Sequence, residues 1–248
     1  MGSSNHLKRL AMPRSWPLPR KTTIWVTRPT PGAHSLELCM PINLVIRDVL
    51  GFARSTREVR HILHNGLAKI DGRVCKETRR GVGLMDVLSL GDNHYRCVLD
   101  HNGRLRYRPI SADEAGWKVC RIEGKSTIKG GKTQLNLHDG RNIIVDDAAE
   151  YSTGSSLKLA LPSQDIIEHI KFAEGVRCYL IGGAHVGGFA NMTSFEVKRS
   201  SMANEVQFDD FGTVASNVFA VGDATLPNTE VVELARPSTQ CLFHASPR

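Results

Sequence analysis

The chain has 248 residues, 41% of them apolar and 23% charged, which suffices for one large or two to three small domains with buried cores. Its net charge of +7 is front-loaded: residues 1–108 hold 19 Lys and Arg against 8 Asp and Glu, while residues 109–150 come to −1 and residues 151–248 to −3. Such a distribution points to a polyanionic partner for the front; six scattered cysteines without any CxxC pair exclude a zinc ribbon or disulfide scaffold and suit a cytoplasmic setting, and no apolar run reaches the length of a membrane span.

Residues 1–41 are rich in Lys, Arg and Pro, and five prolines between Pro13 and Pro31 forbid a continuous helix. They predict an extended basic arm with Trp16 and Trp25 as anchors and Lys8, Arg9, Arg14, Arg20, Lys21 and Arg28 as its cations. Such an arm buries too little apolar area to fold alone and is expected to order against a partner. A plain disordered tail is the competing reading, but interleaved tryptophans suit stacking on a base or filling a protein pocket.

Residues 42–92 predict two short helices and a hairpin. Pro41 stands where a helix start tolerates proline, Leu44, Val45, Ile46, Val49 and Leu50 give an apolar face, and Gly51 ends the first helix. Ser55 followed by Glu58 has the form of a capping box, which starts a second helix at Arg57. On it Val59, Ile62 and Leu63 share a stripe, Arg57, Arg60, His61 and His64 project elsewhere, and Gly66 closes it. Asp71-Gly72 then turns a hairpin flanked by Lys69 and Arg73, and GLMDVLSL gives a further strand. Arg54, Arg57, Arg60, Lys69 and Arg73 are thus expected on one rigid edge, where guanidinium forks match phosphate oxygens.

From residue 93 the pattern turns to β. Strands at Tyr95–Asp100 and Arg104–Ile110 flank a loop at His101-Asn102-Gly103, and Arg104, Arg106 and Arg108 alternate with Leu105 and Tyr107 to make one cationic face. Ser111 and Glu114 offer another cap, and TQLNLHDGRNIIV turns at Asp139-Gly140. Close-set strands over residues 93–160 predict a small barrel. Residues 161–207 carry Gly182-Gly183 and Gly187-Gly188 between β-rich flanks, where paired glycines permit tight turns or close approach to a ligand. Residues 208–248 hold a short strand around NVFAVG and then an irregular tail. The whole reads as α+β and multidomain.

The order of these parts resembles ribosomal protein S4e, of the small subunit in archaea and eukaryotes. HLKRLAMPRSW, TREVRHILHNGLAKIDGRV, GLMDVLSL, HDGRNI and NVFAVG carry the likeness between about His6 and Gly222, and LHDGRNI leans it toward an archaeal member. The resemblance implies an extended N-terminal arm, an S4-like helix–helix–hairpin module, a central small β-barrel domain and a KOW-type SH3-like barrel. It also implies a structural role without catalysis: binding small-subunit rRNA beside neighbouring small-subunit proteins in the cytoplasmic ribosome, with no cofactor, metal, membrane or DNA. The chain departs from the family at Ala184-His185, where a basic residue usually follows the paired glycines, and in the tail CLFHASPR.

Catalytic patterns fail on spacing. GKSTIKGGKT would need glycine at Ser126 to make a phosphate loop, the paired glycines do not form G-x-G-x-x-G, and His138-Asp139 has no placed nucleophile. An RNA-modifying enzyme that docks through the same module, or a free RNA chaperone or translation regulator, are the alternatives. A modification assay on bare rRNA separates the first from a structural protein, and co-sedimentation with small subunits separates the second.

Overall fold

The computed structural model describes residues 5–227, so the tail CLFHASPR lies outside the described residues. The chain is mostly β, with two short α-helices among the described residues. Its N-terminal segment is closed by β1 (His6–Lys8) and β2 (Trp25–Thr27), which pair antiparallel. Contrary to expectation, this arm orders against its own chain. Met12 and Trp16 are buried in the main core, the Trp16 indole N–H donates to the Cys39 carbonyl at 2.8 Å, and Leu105 N donates to the Ser15 carbonyl at 2.8 Å. One buried indole supplies apolar area that offsets the ordering cost of several residues, a gain that a proline-rich composition conceals.

After β3 (Cys39–Pro41), Pro41 caps α1 (Ile42–Leu44), which runs on as a single π turn over Val45–Val49. The expected first helix is therefore α-helical for one turn only. Ile42, Leu44, Val45 and Ile46 are all buried, so the segment packs on every side rather than along one stripe. Gly51, at φ +72°, ends it. Then come α2 (Thr56–His64), β4 (Ala68–Ile70), β5 (Arg73–Val74), β6 (Gly81–Gly83), β7 (Val87–Leu90), β8 (Asn93–Leu99) and β9 (Leu105–Ile110). β6 pairs with β3, and the rest form one sheet in the order β5-β4-β7-β8-β9. This sheet crosses the boundary expected at residue 92, because β7 and β8 are adjacent hairpin strands with Leu90 opposite Asn93. The pattern changes there; the hydrogen bonding does not.

A second sheet, in the order β12-β11-β10-β13-β14, is built from β10 (Trp117–Thr127), β11 (Thr133–Leu137), β12 (Asn142–Val145), β13 (Ser156–Ala160) and β14 (Ile166–Ile170). β14 lies past the boundary expected at residue 160. A bulge between Ile122 and Gly124 bends the long β10 and wraps the sheet around Cys120, Ile122, Leu135, Leu137, Leu157 and Leu159.

The third sheet holds β15 (Arg177–Leu180), β16 (Phe189–Glu196), β17 (Glu205–Phe208), β18 (Gly212–Val214) and β19 (Val218–Ala220), and so runs past the boundary expected at residue 207. On β15, Cys178 and Leu180 face this sheet's own core while Tyr179 faces the main one. The Tyr179 hydroxyl accepts from Leu99 N and donates to the Leu99 carbonyl, both at 2.8 Å. A strand buried on both faces explains the unbroken apolar run CYLI.

Candidate nucleic-acid interface

The expected cationic edge begins at α2. Ser55 caps it, its hydroxyl oxygen accepting from Glu58 N at 3.3 Å, and the Glu58 carboxylate accepts from the Ser55 hydroxyl at 3.1 Å and from Arg54 N at 2.7 Å. The Arg54 N–H and then the Ser55 hydroxyl hold that carboxyl below its ordinary range. The helix starts at Thr56, one residue before the expected start. Val59 and Leu63 are fully buried, which leaves Arg57, Arg60, His61 and His64 exposed. The Asn65 amide reaches His61 at 3.2 Å, and Gly66 at φ +72° lets the chain turn directly into β4. Asp71 and Gly72, at φ +50° and +77°, make the hairpin turn that carries Lys69 and Arg73 into solvent. Among the described residues no ion pair engages Arg57, Arg60, Lys69 or Arg73.

The other expected cations separate into three groups. On β9 Arg106 pairs with the buried Asp100 at 3.0 Å and Arg108 is partly buried, while Arg104 is exposed just before the strand. β9 and β5 are opposite edges of the five-stranded sheet, about 19 Å apart at ~4.8 Å per strand. Lys69 and Arg73 therefore do not share an edge with the β9 arginines. The arm lies beside β9 through the Ser15 carbonyl and keeps Lys8, Arg14 and Lys21 exposed. Arg20 spends a donor on the Leu10 carbonyl, Arg28 is partly buried, and Arg9 is a correction to the expected set. Arg9 is only 7% exposed and donates to the Pro19 carbonyl at 2.6 Å and the Thr23 hydroxyl at 3.2 Å, so it holds the arm together.

Sequence reasoning missed a buried ionic cluster behind the edge. The Lys118 ammonium, fully buried, donates to Asp86 at 2.5 Å, Asp139 at 2.9 Å and Asp71 at 3.0 Å. Arg141 adds bonds to Asp71 and to Asp139, and His34 from the arm meets Asp86 at 3.0 Å. Asp71 and Asp139 belong to two Asp-Gly-Arg hairpin turns from different sheets, so one lysine ties the turns together. Burial opposes the charge on Lys118, but Asp86 and Asp71 outweigh it and hold the ammonium well above the usual lysine range. Burial likewise opposes ionisation of Asp86 and Asp139; His34 and Lys118 nevertheless depress Asp86, and Lys118 with His138 brings Asp139 to about 2. Asp71 goes the other way, raised by burial and by Asp86. The available signal was phase: Lys118 falls in step with Cys120 and Ile122 on β10, an inward position for a charged residue.

Cys120, His138 and Asp139 offer ligand atoms within 4.8 Å of one another. They do not fit a metal ion. Asp139 already accepts from Lys118, whose charge opposes a cation, and both His138 nitrogens are used: Nδ1 accepts from Arg121 N at 3.2 Å and Nε2 donates to the Leu84 carbonyl at 3.4 Å. Burial also pushes the Cys97 and Cys120 thiols well above their ordinary range. The paired glycines serve packing within the chain. A Cβ on Gly187 would lie 2.6 Å from the Asp100 carbonyl carbon, and one on Gly182 would lie 2.6 Å from the Asn217 side-chain oxygen. After the first pair, His185 stacks on Phe211 at 4.1 Å and 20°.

The small ribosomal subunit protein eS4 of Methanocaldococcus jannaschii is 42% identical over 236 residues, covering 90% of this chain and 96% of that relative. The chain belongs to the ribosomal S4e family. The eS4 of Methanothermobacter thermautotrophicus is 40% identical over 230 residues, covering 90% of this chain and 94% of that relative. The crystal structure of the S4e protein from Thermoplasma acidophilum superposes with a TM-score of 0.68 at 33% identity, covering 75% of this chain and 95% of the other. The Ribosomal family S4e model matches residues 91–166, and the RS4NT (NUC023) domain model matches residues 1–37. S4e is a structural family rather than an enzymatic one.

Proposed function

We propose that this S4e protein is a structural constituent of the small ribosomal subunit that binds rRNA through its basic arm and an S4-like module over residues 42–92. The central β domain and a KOW-type barrel are the frame that sets the angle of that grip, and neighbouring small-subunit proteins in the cytoplasmic ribosome are its other partners. The observation that carries the reading is the α2 edge: Arg57, Arg60, Lys69 and Arg73 are exposed and without ion pairs among the described residues. Left in water these charges repel one another. Beside phosphates each gains a charge-assisted hydrogen bond and releases a condensed counterion. Structured rRNA supplies phosphates in fixed positions, which suits side chains held on a capped helix and a two-residue turn.

Double charge reversal, Arg57→Glu with Arg60→Glu, is expected to abolish affinity for an rRNA fragment at moderate salt. Both side chains are exposed, so the circular dichroism spectrum and melting temperature should stay those of the parent. Binding that survives both reversals would remove this edge from the function.

A further inference from the structure

We infer that Trp25, on the outer face of the β1–β2 hairpin, is a stacking platform for an unpaired base of an RNA strand. The inference deepens the reading above and rests on it. The three tryptophans have different surroundings. Trp16 is 2% exposed with its N–H spent, and Trp117 lies under the Arg96 guanidinium at 4.0 Å. Trp25 is 55% exposed, and Ile24 and Leu10 are exposed with it at 72% and 66%. Arg9 N donates to the Ile24 carbonyl at 2.9 Å, which sets the turn bearing Leu10 beside Ile24.

The ring is held rather than loose. The register places Leu7 opposite Val26 and Lys8 opposite Trp25. Strand alternation then sends Leu7 and Val26 toward the core and presents Lys8 and Trp25 outward. His6 supports the indole, with ring centroids 5.5 Å apart at 52°.

Charge selects the occupant. The first 36 residues hold six Lys and Arg and no carboxylate, Glu37 being the first acid in the chain. A flat exposed ring with Lys8 paired across from it, on a segment whose charges are all cationic, matches a nucleotide strand, with phosphates drawn to Lys8 and Lys21 and a base face on the indole. A base in a duplex has both faces already stacked, so the site takes single-stranded or bulged RNA.

The test titrates the full chain with a mixed-sequence single-stranded RNA dodecamer and with a duplex of equal length, at one salt concentration. Indole emission should be quenched by the single strand. Trp25→Ala should bind that strand about tenfold more weakly while binding the duplex as before, and Trp25→Phe should keep most of the affinity but lose most of the quenching. Undiminished single-strand affinity in Trp25→Ala overturns the inference, as a patch reserved for a protein neighbour would give; so does an equal loss on the duplex. If Arg57→Glu with Arg60→Glu abolishes binding while Trp25→Ala changes nothing, only the stacking platform falls. If neither variant weakens binding, the wider reading falls first.

Discussion

The α2 edge and the Lys118 cluster are built from the same residue types, and each uses an Asp-Gly-Arg turn. At the first turn Arg73 is exposed while Asp71 turns inward; at the second, Asp139 and Arg141 both bond into the cluster. One region keeps cations unpaired in water, and the other neutralises them against three carboxylates out of water. A cation serves a ligand only where the fold declines to pair it. In the proposed reading, net charge by sequence segment locates the half of the molecule that would grip RNA, and pairing decides which side chains within that half are left to do so.

The widest expected effect comes from breaking the buried half of this contrast. Lys118→Met leaves three buried carboxylates without their shared counter-charge and should cost about 3–5 kcal/mol in denaturant unfolding. A near-neutral result would mean that the cluster is not what joins the two turns. RNA affinity, measured under conditions where the variant stays folded, should change far less than with the Arg57 and Arg60 reversals.

Acid should separate the two regions next. Burial and the neighbouring Lys118 push His138 down to about 3, so the folded protein keeps it neutral where the unfolded chain, at about 6.5, takes a proton. That stability is complete above about pH 6.5 and drains away as pH falls toward 3. The depressed Asp86 and Asp139 add a second loss below the ordinary Asp range of about 4, while the raised Asp71 works with the opposite sign. Equilibrium unfolding against pH should show both limbs, and His138→Gln should flatten the upper one; a wild-type profile level from pH 7 to 4 contradicts this.

The smallest effect belongs to the α2 cap. Ser55→Ala removes the bond to Glu58 N and should lower stability by about 1 kcal/mol in a thermal or denaturant melt. The exposed arginines keep their charge in this variant, so any loss of RNA binding should be small. A large one would make helix order, rather than charge, the limiting feature of the edge.

Local chemistry was legible in the sequence. Asp71-Gly72 and Asp139-Gly140 announced their turns because Asp71, Gly72 and Gly140 take positive φ, the Ser55–Glu58 spacing announced the cap, and alternation along β9 and the residue before it separated Arg104, Arg106 and Arg108 from Leu105 and Tyr107. What escaped was set by distant partners. Lys118 meets residues 47, 32 and 21 positions away, and nothing near it in the sequence names them. Strand order put Arg73 and the β9 arginines on opposite edges, and Trp16 turned an arm expected to await a partner into part of the core. Arg9 followed that arm inward. Local periodicity records which face a residue takes, and not which neighbour covers that face.

The most direct test of the central claim is the slope of log affinity against log salt for an rRNA fragment. Neutralising Arg57 and Arg60 together (Arg57→Gln, Arg60→Gln) should make the slope shallower by about 2, because each phosphate contact contributes close to one released counterion. Neutralising two exposed cations of the acidic rear, Lys171→Gln with Arg199→Gln, should leave it unchanged. An unaltered slope in the first pair, or an equal change in the second, would contradict the account.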